Sequence, residues 1–230
     1  MYSSLTSRLW GDIEDIFAAI LEHPFVLGLT DGSLPKEKFR YFILQDARYL
    51  HSYARALSLV GGRAPTPADT ALFAGRAARA VAVERTLHEG LLRDMGLHEE
   101  AVGETDLSPT TIAYTSYILC KVHGGSFADG LSAVLPCGWI YCEVGKAVSE
   151  RGSPDPLYQR WIDTYGDEEF KEAVKNMLAL TDRVGETLGS EELARVREHF
   201  ITASRYEWMF WDAAWHEQRW PLPRAALVSR

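Results

Sequence analysis

The chain has 230 residues, 47% of them hydrophobic and 24% charged, enough to bury one substantial core and too few for two roomy domains to be the expectation. Its 24 Lys and Arg against 32 Asp and Glu leave a formal net charge of −8, which argues against a general nucleic-acid binder, whose phosphate contacts need clustered cations. Cys120, Cys137 and Cys142 form neither a disulfide framework nor a zinc pattern, no apolar run reaches the roughly 18 residues of a membrane span, and the acidic N-terminal "MYSSLTSRLWGDIEDIF" is no signal peptide, so a soluble, cytoplasmic protein is expected.

Apolar residues recur three and four apart along the chain, and no stretch reads as a strand. The segment 35–62 predicts a long helix with Pro35 in its first turn and Gly61 and Gly62 at its end. A second helix is expected over 67–96, closed by Gly96, and a third from Ser108, a capping residue, with Pro109 at the first helical position. Residues 126–152 repeat this pattern with Ser126 as cap. Pro136 inside that segment predicts a kink or a restart of the helix, and a restarted N-terminus would favour a thiolate at Cys137. Shorter helical segments follow over 155–166 and 167–189, and a last long one over 190–218 with Ser190 as cap. The fold class expected is all-α, a single-domain helical bundle over 1–220, with 221–230 as a tail that extends or frays.

Three positions could do chemistry. Asp46 shares one helix side with Tyr49 and Tyr53, three and seven residues on, in a stripe otherwise of Phe, Ile and Leu. A carboxylate there must be paired, with Arg48 or Arg55 as neighbours in sequence, or must serve a ligand. Glu207 sits among Tyr206, Phe210 and Trp211, where desolvation raises a carboxyl pKa toward that of a proton shuttle; a core Glu held by a partner is the plainer alternative. Cys120 and Cys142 read as small buried hydrophobes, whereas Cys137 has Tyr141 one turn along the same face. Tyr114 and Tyr165, taken singly, read as half-buried structural tyrosines.

Together the segments "EHPFVLGLTDGSLPKEKFRYFILQDARYL", "YTSYI", "VLPCGWIYCEVG", "YQRWIDTYGDEEF" and "RYEWMFWDAAW", in this order, closely resemble the TenA/thiaminase II family over about residues 5–217. The resemblance implies a heme-oxygenase-like fold, a homotetramer and an aminopyrimidine pocket between helices. It also implies hydrolysis at the pyrimidine methylene carbon that releases hydroxymethylpyrimidine in thiamin salvage. Ammonia leaves when the substrate is 4-amino-5-aminomethyl-2-methylpyrimidine, and a thiazole leaves when it is thiamin. By motif, Asp46 would hold the pyrimidine amino group and ring nitrogen, Cys137 would add to the ring, and Glu207 would shuttle protons. Tyr49, Tyr114, Tyr141, Tyr165 and Phe210 match the family's pocket positions, and Tyr53 joins them as a substrate-binding candidate on the Asp46 face. No cofactor or metal is implied.

Members often carry an aromatic residue directly after the QD pair, where this chain has Ala47, a change that enlarges one wall or shifts a contact. Cys137 places the chain with the branch that carries the cysteine. Two rival readings stand beside the hydrolase. One is an oxidase or oxygenase on the same fold, for which His23 would be a heme ligand and a di-iron site would need paired ExxH motifs that the sequence lacks; Glu84 and His88 are four apart, and His23 reads better as a helix-end residue. The other is a pyrimidine-binding or regulatory protein, which would have little use for a nucleophile.

Overall fold

A computed structural model describes residues 4–83, 89–96, 100–165 and 167–222. Among these residues the chain forms helices and no strand: α1 (Leu5–Gly11), α2 (Glu14–Leu21), α3 (Pro24–Asp31), α4 (Lys36–Gly61), α5 (Pro67–Val83), α6 (Glu89–Asp94), α7 (Glu100–Glu104), α8 (Pro109–Gly124), α9 (Phe127–Ser149), α10 (Pro156–Tyr165), α11 (Glu168–Gly185) and α12 (Ser190–Trp215). The all-α expectation holds. The helix expected over 67–96 is represented by α5 and α6, and 84–88 between them, with Glu84 and His88, lie outside the described residues. Gly96 closes α6 at φ +71°. Of the tail, 223–230 likewise lie outside the described residues.

Local chemistry explains most helix ends. The Ser108 hydroxyl accepts from Thr111 N at the start of α8, with Pro109 beside it. Ser126 and Asp129 exchange side-chain and backbone hydrogen bonds in a capping box on α9. His23 caps α3, its Nδ1 accepting from Phe25 N at 3.2 Å, which is the helix-end role expected for it. At α12 the expectation shifts by one residue: Gly189 is the cap, its N–H donating to Glu192 Oε2 at 3.1 Å, and Ser190 is already helical.

The core is organised around α9. Most of its 23 residues are buried, and it packs against α12, α8, α10, α11, α4 and α2. An apolar surface on every side is what a central helix requires. Contrary to expectation, α9 does not restart at Pro136: the helix runs unbroken from Phe127 to Ser149. Proline has no N–H to give the Ser132 carbonyl, and the packed neighbours on every side hold the helix through that lost bond. Cys137 is therefore a mid-helix residue and gains no helix-terminal charge.

Gly145 lets α10 come close to α9. A Cβ on it would stand 2.7 Å from the Tyr165 carbonyl oxygen and 3.0 Å from its carbon, both backbone atoms that cannot swing away. We expect Gly145→Ala to lower stability by about 1–3 kcal/mol through overpacking, read by thermal melting, and to displace Tyr165 from Tyr141, whose ring centroid is 5.2 Å away. A melting point equal to that of the unaltered chain would mean that α10 is not seated this tightly.

The cysteine expectations divide. Cys142 is buried as expected, but Cys120 is exposed on α8. The aromatic count gives no argument for assembly either, because Trp220 is the one tryptophan or phenylalanine among the large exposed hydrophobics of the described residues. No helix among those residues is long and apolar enough to cross a membrane.

Candidate active site

Five helices supply the candidate groups, three of them the most: α4 supplies Asp46, Tyr49 and Tyr53; α9 supplies Cys137 and Tyr141; α12 supplies Glu207 and Phe210. Tyr114 comes from α8 and Tyr165 from the end of α10. Gln45, next to Asp46, fixes the register between α4 and α8. Its Oε1 accepts from Ser108 N at 3.0 Å and from the Thr111 hydroxyl at 2.7 Å, and its Nε2 donates to the Asp106 carbonyl at 2.9 Å. Tyr53 ties α4 to α9 by donating to the Val134 carbonyl at 3.0 Å.

A cavity partly open to solvent is lined by Asp46, Tyr53, Cys137, Tyr141 and Tyr165 among others. The remaining candidates form the layer behind it. Tyr49 stacks on Tyr53 at 5.6 Å and 17° and on Tyr114 at 5.1 Å and 27°, and its ring lies 5.7 Å from that of Phe210. Tyr141 stacks on Trp211 at 5.2 Å and 25°, and Trp211 lies flat on Phe42 at 5.0 Å and 8°. Flat aromatic walls backed by further rings form a rigid slot rather than a pliable one. Ala47 is buried, but it does not line the cavity.

The polar groups in this apolar shell influence one another. Glu207 is 2% exposed, and burial, opposed by the hydrogen bond from Tyr114 and reinforced by the Asp46 charge, lifts its carboxyl to about 8. It is therefore mostly protonated at neutral pH, accepting from the Tyr114 hydroxyl through Oε1 while holding a proton it can give away. Burial, and after it the Glu207 charge, push the Cys137 thiol well above its ordinary value, with Tyr49 pulling the other way and Asp46 adding to the rise. The thiolate expected from a helix N-terminus is thus replaced by a neutral buried thiol. Tyr49 Oη is itself buried without a well-formed hydrogen bond, and it faces the Cys137 and Tyr114 polar atoms. Asp46 is 4% exposed, and its charge is felt after burial in the raised ionisation of both Tyr141 and Tyr165. Arg48, the sequence neighbour considered for it, donates to the Val102 and Gly103 carbonyls. Tyr114 and Tyr165, expected to be half-buried, are both buried.

The cavity also holds Arg76 and Arg79 of α5, Phe170 of α11 and Gly138, none of which the sequence singled out. The one available signal was a pair of arginines three apart in the small-residue run "GRAARAV". Among the described residues no group of three or more His, Cys, Asp or Glu is arranged to hold a metal ion.

Comparison with known proteins shows the family and the fold. The sequence model of the TENA/THI-4/PQQC family matches residues 10–217. An aminopyrimidine aminohydrolase of Halalkalibacterium halodurans is 36% identical, the match covering 94% of this chain and 98% of that one. A solved TenA homologue from P. horikoshii OT3 superposes with a TM-score of 0.85 at 32% identity, over 93% of this chain and 99% of the other. A domain with a heme oxygenase-like fold from Shewanella denitrificans superposes at a TM-score of 0.72 over 92% of each chain, and at 15% identity it speaks for the fold alone.

Proposed function

Since the chain belongs to the TENA/THI-4/PQQC family, we propose that it is an aminopyrimidine hydrolase acting in thiamin salvage. In this reading it releases 4-amino-5-hydroxymethyl-2-methylpyrimidine from the 5-aminomethyl compound, with loss of ammonia, or from thiamin, with loss of the thiazole. The observation that carries the reading is the convergence of Asp46, Cys137 and Glu207, from three separate helices, on one aromatic-walled cavity and the layer behind it.

In the mechanism this arrangement favours, Asp46 holds the amino group and ring nitrogen of the pyrimidine, with Tyr53, Tyr141 and Tyr165 forming the walls and Tyr49, Tyr114 and Phe210 backing them. Because burial keeps the Cys137 thiol neutral, the thiol adds across a ring C=N bond, its sulfur going to carbon and its proton to nitrogen. The electron pair gained by the ring expels the group on the methylene carbon, and Glu207 supplies the proton that lets an amine leave as a neutral molecule. Water then adds to the methylene carbon and returns a proton to Glu207, and elimination of the thiol restores the aromatic ring. Holding the ring between fixed walls supplies the orientation that such an addition needs. Residence in the cytoplasm and assembly as a homotetramer belong to the same proposal; sizing chromatography reads the second directly.

The test is turnover by the purified chain, given aminomethylpyrimidine and thiamin in separate reactions, with the hydroxymethyl product identified by mass. Formation of that product from either substrate is the expected result, and the ratio of the two kcat/KM values names the preferred leaving group. Folded protein that yields no product from either would remove the hydrolase reading for these substrates and favour pyrimidine binding without chemistry.

A further inference from the structure

Arg76 lines the cavity but has no task in the chemistry above. It is 9% exposed and neighbours the Tyr53 hydroxyl within hydrogen-bonding reach, while its Nη1 is buried with no hydrogen-bond partner. Its guanidinium lies 5.6 Å over the Phe170 ring, a contact that favours a cation without neutralising it. Buried guanidinium groups are nearly always paired, since desolvation of an unmatched charge costs several kcal/mol. Room for it is made by Gly138: a Cβ there would stand 2.3 Å from Arg76 Nη2. The glycine that follows Cys137 therefore admits the guanidinium against the backbone of α9.

Arg79, three residues on, faces the same cavity. Its Nη2 and Nη1 are taken by Asp167 at 2.7 Å and Glu169 at 3.0 Å, while its Nε is buried and unpartnered. Two buried N–H donors, on neighbouring turns of α5, are thus left over at the side of the cavity formed by α5 and α11. The carboxylate on the lining, Asp46, belongs to α4, and in the proposed reaction it holds the pyrimidine.

We propose that Arg76, with Arg79 three residues on in the same helix, is an oxyanion subsite that takes a phosphate ester or carboxylate carried by the substrate. A guanidinium presents parallel N–H donors that match such oxygens, and its charge makes each bond stronger than a neutral one. That the oxyanion is carried by an aminopyrimidine substrate rests on the proposed function. The existence of the subsite does not depend on it.

The test uses the full chain and has a readout that needs no turnover. Inorganic phosphate is followed by 31P line broadening and acetate by 13C line broadening, with unaltered protein, Arg76→Lys and Arg76→Met, each checked for helix content. The expected result is broadening of at least one probe by the unaltered protein, abolished in Arg76→Met and partly kept in Arg76→Lys; which probe broadens tells phosphate from carboxylate. In parallel, kcat/KM for thiamin monophosphate relative to thiamin is expected to fall about tenfold or more in Arg76→Met, the loss of one charge-assisted hydrogen bond. No broadening of either probe by the unaltered protein overturns the subsite, as does broadening that Arg76→Met leaves intact. Arg76-dependent broadening without turnover of any pyrimidine would keep the subsite and overturn the hydrolase.

Discussion

Cys137→Ser is expected to reduce kcat for release of hydroxymethylpyrimidine by about three orders of magnitude or more, as removal of a covalent nucleophile does. The exchange is close to isosteric, so the aromatic walls stay in place and the loss reads on chemistry rather than on packing. A serine hydroxyl in this surrounding is a far poorer nucleophile than the thiol, since nothing near it acts as a strong base at neutral pH: Glu207 at about 8 is mostly protonated. Cys120→Ser is the internal control, because that thiol is exposed on α8 and outside the cavity lining. Single-turnover kinetics, with product resolved by mass, separate a slowed chemical step from weakened binding. Retention of turnover within about tenfold in Cys137→Ser would end the nucleophile assignment and point to direct attack by water.

Glu207→Gln has two effects of opposite sign. Turnover is expected to fall by about two to four orders of magnitude, because the amide can neither give nor take the proton. Stability is expected to move the other way at alkaline pH. The folded carboxyl titrates at about 8 against 4.5 in its ordinary surroundings, so the folded state binds the proton more tightly than the unfolded state does. The contribution is fully present below the unfolded value of 4.5 and is lost progressively as pH rises to about 8, above which a buried charge must be carried. Denaturant unfolding at pH 5 and pH 9 checks this: the glutamine variant should lose less stability between the two, by a few kcal/mol. In the unaltered enzyme the same carboxyl predicts a rate that declines as pH passes about 8, if its proton is the one transferred. Parallel pH dependence of stability in the two proteins would mean that Glu207 ionises as an ordinary surface acid.

Legibility from sequence followed the local strength of each signal. Helices α8 and α9 carry serine caps and α4 a long periodic face bounded by Pro35 and Gly62, local signals that mark their ends in the sequence. The short helices α1 and α2 were not foreseen, and of α3 only its end at His23 was: seven or eight residues are too few to hold themselves. They are held by distant partners, such as Asp182, which accepts from Thr6 N and Oγ1, and Arg197, which grips Asp12 with two donors. The restart expected at Pro136 failed for the converse reason, since a breaker that ends an isolated helix is overruled in one enclosed on every side. Within the site, Asp46, Cys137 and Glu207 announced themselves as polar groups on apolar stripes or as a matched motif. Arg76 did not, because an arginine on an amphipathic helix looks like any solvated charge until Gly138, 62 positions later in the numbering, is folded against it.

The derivation of Asp46, Cys137 and Glu207 from α4, α9 and α12 has a consequence for how the chain can be divided. No contiguous fragment that omits either end of the span from Asp46 to Glu207 owns a complete site, and the contacts that complete it are among the most distant along the chain. The entropy of closing so long a loop must be met before the first productive encounter with a substrate. On the proposed mechanism, catalytic competence is a late arrival during synthesis, withheld from the nascent chain until its last long helix has left the ribosome and docked.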